Sequence, residues 1–240
     1  MPVTSAAEQD YLKQIYLLHE DAGRATTQML AERLGVKPPS VTAMIKRLAE
    51  DEGGPLVRHE PYRGVELTER GMAVALEMLR HHRLIELFLS ELLSVPWDRV
   101  HQEADRLEHV LSEDLEERIA AKLGQPRYDP HGDPIPSREG IVPQRALRRL
   151  DELSPGETGR VAQVTAQEEP VLQYLASLGV RPGATITVEE VAPFGGVVTM
   201  RVLEDTAQRG SHALGESLAR HILLSSLDTE ADAASREERD

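Results

Sequence analysis

The chain contains no cysteine, which removes disulfides, thiolate metal sites and cysteine nucleophiles together. Any metal it binds must be held by oxygen and nitrogen. Aromatic residues are scarce, with one Trp, five Tyr and two Phe among 240 residues. Leu, Val, Ile and Ala must therefore fill the core, and helices are the expected main material. Long hydrophobic runs are also missing: the longest, residues 84–93, is interrupted by Glu86, Ser90 and Glu91. No basic segment followed by an apolar stretch opens the chain, so neither a membrane span nor secretion is expected, and the compartment expected is the cytoplasm. Positive charge is in deficit, 27 Lys and Arg against 41 Asp and Glu, for a net charge of −14. That balance opposes nucleic-acid binding through bulk electrostatics, because cations are needed to displace counterions from phosphate. A DNA function would have to live in one local patch. With 40 % hydrophobic residues, the chain can still bury a core in each of two or three domains.

Residues 4–70 read as three helices followed by a two-stranded wing. Tyr11, Leu12, Ile15, Tyr16 and Leu18 recur at helical spacing, and Asp21, Ala22 and Gly23 end that helix. Thr26 or Thr27 can cap a short second helix that stops at Gly35. Lys37, Pro38, Pro39 and Ser40 open a third, with Val41, Ile45 and Leu48 on one face. Leu56 and Val57, a turn at residues 61–64, then Val65 and Leu67 supply a hairpin. Two long helices are expected next, from Thr68 to about Leu93 and from about Asp98 to Leu123, the second carrying Val100, Leu107, Leu111, Leu115 and Ile119 as an apolar stripe suited to packing within or between subunits. A Pro-rich connection with five prolines fills residues 124–143. Beyond Leu153 the pattern alternates through Val161 and Val164, Ile186, Val188 and Val191, then residues 197–202, giving a small β-barrel closed by a helical segment at residues 214–224. Residues 229–240 read as a disordered acidic tail.

Residues 24–63 hold seven Lys or Arg against five Asp or Glu, a net of +2 where the remainder carries −16. Lys37, Lys46 and Arg47 lie on or beside the third helix, the recognition helix of a helix-turn-helix, and Arg58 and Arg63 lie on the wing. Short side chains at its start, Pro39, Ser40 and Thr42, can approach base edges, and Thr27, at the start of the second helix, is a further DNA-contact candidate. The alternative is a compact three-helix core with no DNA role.

His101, Asp105, Glu108 and His109 fall at i, i+4, i+7 and i+8, within a sector of roughly 100° on one helix. His82 and Glu86 repeat the i, i+4 spacing on the preceding helix, and Asp10 could reach the same pocket from the first. Each pair alone is also what an exposed, solvated helix pair looks like. Together, several acids facing one another with no matching Lys or Arg would repel unless a cation sits between them. Imidazole and carboxylate donors suit Mn(II) and Fe(II).

With these features in place, the chain resembles the diphtheria-toxin-repressor family of metal-dependent transcriptional repressors, which has iron and manganese branches. The resemblance is carried by residues 10–16, Pro39-Ser40-Val41-Thr42, residues 63–68, residues 81–86 and residues 100–112, with Asp133-Pro134-Ile135-Pro136 in the connector. It implies a mainly α fold with a small β domain: a winged helix-turn-helix DNA-binding domain at residues 1–70, a helical dimerisation and metal-binding domain with its Pro-rich linker at 71–143, and an SH3-like domain at 144–228. It further implies a primary metal site of Asp10, Asp105, Glu108 and His109. An ancillary site of His82, Glu86 and His101 would be completed by an acid, Glu168 or else Glu169. Asp10 and Asp105 stand where the iron branch has a sulfur pair, which moves the expected metal towards Mn(II) with Fe(II) second. Lys13 replaces a second acid found on the first helix of small manganese regulators, and Ala43 replaces a recognition-helix glutamine.

The expected function is a cytoplasmic homodimeric repressor, built mainly through residues 71–123, that binds operator DNA when metal-loaded and controls metal-uptake genes. No membrane, organic substrate or catalytic residue is expected. The competing readings are a winged-helix regulator without metal sensing and a helical carboxylate metalloenzyme. Against the enzyme, the chain has no HExxH and no paired ExxH motifs.

Overall fold

The computed structural model describes residues 4–60, 64–203 and 208–227. Arg63, most of the hairpin turn and the acidic tail at residues 229–240 lie outside the described residues. The chain divides into two compact units that interleave along the sequence. The first comprises Met1–Ile85, Ala104–Lys122 and Ile135–Val142; the second comprises Glu86–Glu103, Leu123–Pro134 and Pro143–Asp240.

In the first unit, helix α1 (Ala6–Ala22) begins at a capping box: Glu8 N–H donates to Ser5 Oγ, and Ser5 N–H donates to Glu8 Oε2. It ends at Gly23 in the left-handed region. Thr26 caps α2 (Thr27–Leu34) by accepting from the Met29 N–H, and two prolines in the first turn start α3 (Pro38–Ala49). Strands β1 (Val57–Glu60) and β2 (Gly64–Leu67) pair antiparallel, Val57 opposite Leu67. The wing is locked to the helices by the Val65–Ala25 bridge and by His19 Nε2, which donates to the Val65 carbonyl at 2.7 Å. A Cβ at Gly64 would lie 2.1 Å from the Ala25 carbonyl oxygen, so only glycine admits this approach. Tyr11, Leu12, Ile15, Leu30, Val41, Leu48, Leu56, Val65 and Leu79 form one buried core. Each fully buried Leu contributes about 2 kcal/mol.

Helix α4 (Glu69–Leu93) follows as the periodicity predicts. The predicted helix from Asp98 to Leu123 does not form as one piece. It divides into α5 (Val100–Leu107), a 3-10 turn (Glu108–Val110) and α6 (Glu113–Lys122). Leu111 is extended and Ser112 starts a new helix, its Oγ accepting from the Leu115 N–H and its carbonyl from the Glu116 N–H. Acids at Glu113, Asp114 and Glu116 favour a helix N-terminus at that point through the helix dipole. The predicted stripe is split accordingly: Val100 and Ile119 are buried, while Leu107 and Leu115 are exposed.

The second unit contains β3 (Arg148–Arg149), a 3-10 turn (Leu150–Glu152), β4 (Thr158–Val164), α7 (Glu169–Ser177), β5 (Thr185–Val191), β6 (Val197–Leu203), β7 (Gln208–Gly215), α8 (Glu216–Ala219) and β8 (Ile222–Ser226). The strands form one antiparallel sheet in the order β3-β8-β4-β5-β6-β7, bent by bulges in β4 and β5 and by a register irregularity between β6 and β7. Residues 214–224, expected to be helical throughout, instead comprise the end of β7, a four-residue helix and the start of β8. Their alternating Leu214, Ile222 and Leu224 fill the sheet's buried face. The core is completed by Trp97, Leu150, Leu172, Leu175, Ile186 and Met200. Among the described residues, no helix is long and apolar enough to cross a membrane.

Candidate functional site

The break between α5 and α6 places Glu108 and His109 in a tight turn facing α1 and α4. Glu108 is the hub, 1 % exposed. Its Oε1 accepts from Lys13 Nζ at 2.6 Å, and its Oε2 lies 2.5 Å from His82 Nδ1. Asp105 Oδ1 lies 3.4 Å from His82 Nδ1 and 3.2 Å from Lys13 Nζ. On the other side, His109 Nε2 is 3.1 Å from Asp10 Oδ1 and 3.6 Å from Glu108 Oε1. Two ligand sets share the Glu108 carboxylate: Asp10, Glu108 and His109, and His82, Asp105 and Glu108, each with donor atoms within 4.8 Å of one another. All four residues assigned to the primary site are thus brought together. His82, assigned by resemblance to the ancillary site, stands against Asp105 and Glu108 of the primary group.

Gln9, which sequence reasoning missed, and Lys13, noted there only as a replacement for an acid, complete this cluster. Gln9 Oε1 accepts from His109 Nδ1 at 2.8 Å. With the proton on Nδ1, the Nε2 lone pair is turned towards Asp10 and Glu108, the tautomer a metal-ligating imidazole needs. Lys13 supplies a cation inside the cluster, which corrects the expectation that the acids face one another without a matching Lys or Arg. Its position, one turn from Asp10 on α1, was the available signal. Burial works against the Lys13 ammonium, but Glu108 and Asp105 overcome it and hold its pKa above the ordinary value. Burial likewise pushes the Glu108 carboxyl up, and His82 and Lys13 outweigh it, leaving Glu108 below the usual carboxylate range. Asp10 is raised by burial, against the pull of His109 and Lys13. The donors are hard oxygens and imidazole nitrogens with one lone pair already aimed inward, and they fit a divalent cation such as Mn(II) or Fe(II).

In the second unit, Glu86 Oε1 and His101 Nδ1 are 3.0 Å apart, with Glu86 buried. Glu168 is exposed at the N-cap of α7, and its carboxylate accepts from the Gln167 N–H. Glu169 instead binds Gln102, the neighbour of His101 on α5, and Gln173.

The DNA-facing candidates cluster on α3 and the wing. Val41, Ile45 and Leu48 bury one face of α3, leaving Lys37, Pro39, Ser40, Thr42, Lys46 and Arg47 exposed, with Arg58 exposed on β1 and Thr27 partly exposed at the start of α2. Thr42 Oγ1 donates to the Pro38 carbonyl. Arg47 Nε binds Glu8 Oε1 at 2.8 Å, so the recognition helix is tied to α1 two residues from Asp10.

Family models match residues 3–65 (iron dependent repressor, N-terminal DNA binding domain), 68–137 (iron dependent repressor, metal binding and dimerisation domain) and 148–226 (FeoA domain). The iron-dependent repressor IdeR of Mycobacterium tuberculosis is 38 % identical over 199 residues, covering 78 % of this chain and 85 % of that protein. The HTH-type transcriptional regulator MntR of Bacillus velezensis is 35 % identical over 117 residues, covering 49 % and 80 %. Among solved structures, a manganese-dependent transcriptional repressor in complex with manganese superposes with a TM-score of 0.83 at 40 % identity, covering 92 % of this chain and 100 % of the other.

Proposed function

The chain belongs to the diphtheria-toxin-repressor family of metal-dependent transcriptional repressors, and we propose that it is a manganese-responsive member whose switch is the cluster around Glu108. It is a metal-dependent repressor that binds operator DNA as a homodimer. Residues 1–70 bind DNA, 71–143 dimerise and hold metal, and 144–228 form the FeoA-like domain. The three family models support this division. Dimerisation is assigned mainly to residues 71–123, and the regulated genes to metal uptake. Acting on the chromosome, the protein works in the cytoplasm, and no residue is given a catalytic role.

The primary site is assigned to Asp10, Asp105, Glu108 and His109. His82, Glu86 and His101 are assigned to the ancillary site, with Glu168 or Glu169 as its further acid. The sulfur-free donor set favours Mn(II), with Fe(II) second, and the manganese-bound relative supports that order. When bound, the ion would supply positive charge that offsets the carboxylates of Asp10, Asp105 and Glu108. The protein's own part is positional. Gln9 holds the His109 tautomer, Lys13 and His82 hold the two oxygens of Glu108, and α1 carries the position of Asp10 to Glu8 and so to Arg47 on α3. Metal affinity and DNA affinity are then coupled in both directions.

The observation that carries this reading is the Glu108 carboxylate shared by two ligand sets beside the helix that grips α3. Operator retardation in a gel with Mn(II), and again with chelator, tests it. Binding is expected with Mn(II) and is lost on chelation, and Asp105→Ala is expected to stay folded but to lose the response. Equal retardation in both lanes overturns the switch.

A further inference from the structure

A second polar cluster lies on the other side of Glu108, where the first turns of α6 pack against α4. Glu77 and His81 are one turn apart on α4, and Glu113 and Glu116 are one turn apart on α6. His81 is 4 % exposed. Its Nδ1 lies 3.3 Å from the Glu108 carbonyl oxygen, and since a carbonyl only accepts, Nδ1 carries the proton. Nε2 then presents a lone pair to a nest of carboxylates. Among the described residues no hydrogen bond reaches that nitrogen. Glu116 Oε2 stands 3.3 Å away, outside hydrogen-bond geometry, and Glu113 Oε1 stands 3.9 Å away. A buried lone pair facing carboxylate oxygens is repulsive unless something positive lies between them.

The outer oxygens of those carboxylates are already held. Arg80 donates to Glu116 Oε1 at 2.5 Å and to the Pro136 carbonyl, and Arg138 binds Glu113 Oε2 at 3.4 Å and Glu117. Each carboxylate therefore has one oxygen fixed by a guanidinium and the other turned towards His81, the arrangement that second-layer residues give to metal ligands. Glu77 is raised by burial, and by hydrogen bonding and repulsion from Glu113, so these two carboxylates sit close enough to contest their charge. The donor atoms of Glu77, His81 and Glu113 all lie within 4.8 Å of one another. Ligands on one ion at about 2.2 Å stand up to about 4.4 Å apart, so shifts of a few tenths of an ångström close the set.

We propose that Glu77, His81 and Glu113, with Glu116 as a fourth donor, form a third divalent-metal site, distinct from the Asp10–Glu108–His109 cluster and open to a first-row ion that accepts imidazole and carboxylate. His81 joins the two sites, since the ring that would bind this ion also holds the main chain of Glu108. The proposal stands whether or not the first cluster proves to be the switch.

The test is to count Mn(II) bound per full-length chain by calorimetry and by electron paramagnetic resonance of the free ion, for wild type, Glu77→Gln and Glu113→Gln. Neither substituted residue belongs to the ligand sets formed by Asp10, Glu108 and His109 or by His82, Asp105 and Glu108. Each variant is expected to bind one equivalent fewer than wild type, and crystals of the wild type soaked in Mn(II) are expected to give an anomalous peak beside His81 Nε2. Equal counts in all three proteins, or anomalous density confined to the other cluster, overturns the site.

Discussion

Lys13 decides how the acidic cluster behaves when it holds no ion. A carboxylate as buried as Glu108 costs several kcal/mol to leave uncompensated, and Lys13 and His82 provide that compensation from two sides. Replacing Lys13 with Met removes one of them while keeping the buried stem. The metal-free protein is expected to lose about 3 kcal/mol of stability, and Mn(II) is expected to raise its melting temperature by more than it raises that of wild type. Calorimetric melts with and without Mn(II) check this; an unchanged metal-free melt would show that His82 alone suffices. The meeting of Asp10, Glu108 and His109 was legible in the sequence, because residue spacing and family resemblance both pointed there. The roles of Lys13 and Gln9 were not, since charge was read along one helix stripe. Lys13 reaches Glu108 from 95 residues away, and Gln9 reaches His109 from 100.

Element by element, the winged helix was readable because each boundary has a local chemical signal: Thr26 as a cap, Gly23 and Gly35 as stops, and prolines in the first turn of α3. The interruption at Glu108 was missed although Ser112 followed by acids marks a helix start; the apolar periodicity across the break masked it. Strands β7 and β8 were missed because Leu-rich alternation interrupted by one helical turn resembles a helix. One helix–wing contact yields a prediction whose sign distinguishes packing from propensity. Gly71 lies inside α4, where alanine normally stabilises by about 1 kcal/mol. Here, however, a Cβ would come within 2.0 Å of the Leu56 carbonyl oxygen. Gly71→Ala is therefore expected to destabilise by about 2 kcal/mol in urea unfolding, the scale of an overpacked contact. A more stable variant would mean that α4 and the wing do not pack this closely.

At the scale of the molecule, a chain of net charge −14 must meet DNA through a small cationic area, the α3 and wing patch. Lys46→Ala and Arg58→Ala are each expected to weaken binding alike on all sequences and to reduce the slope of log affinity against log salt by about 1. Anisotropy titrations across a salt series measure it, and an unaltered slope removes that residue from the phosphate contacts. The charge asymmetry was visible in the sequence. The interleaving of two compact units along the chain was not, because it arises from long-range packing that no local pattern encodes. Glu108 ties several of these threads together: one oxygen serves Lys13, the other His82, and its main-chain carbonyl serves His81. The flanking donors can be exchanged singly to retune ion preference over evolutionary time, whereas any replacement of the Glu108 side chain strips a partner from Lys13 and His82 at once, leaving that residue the least adjustable point of the protein.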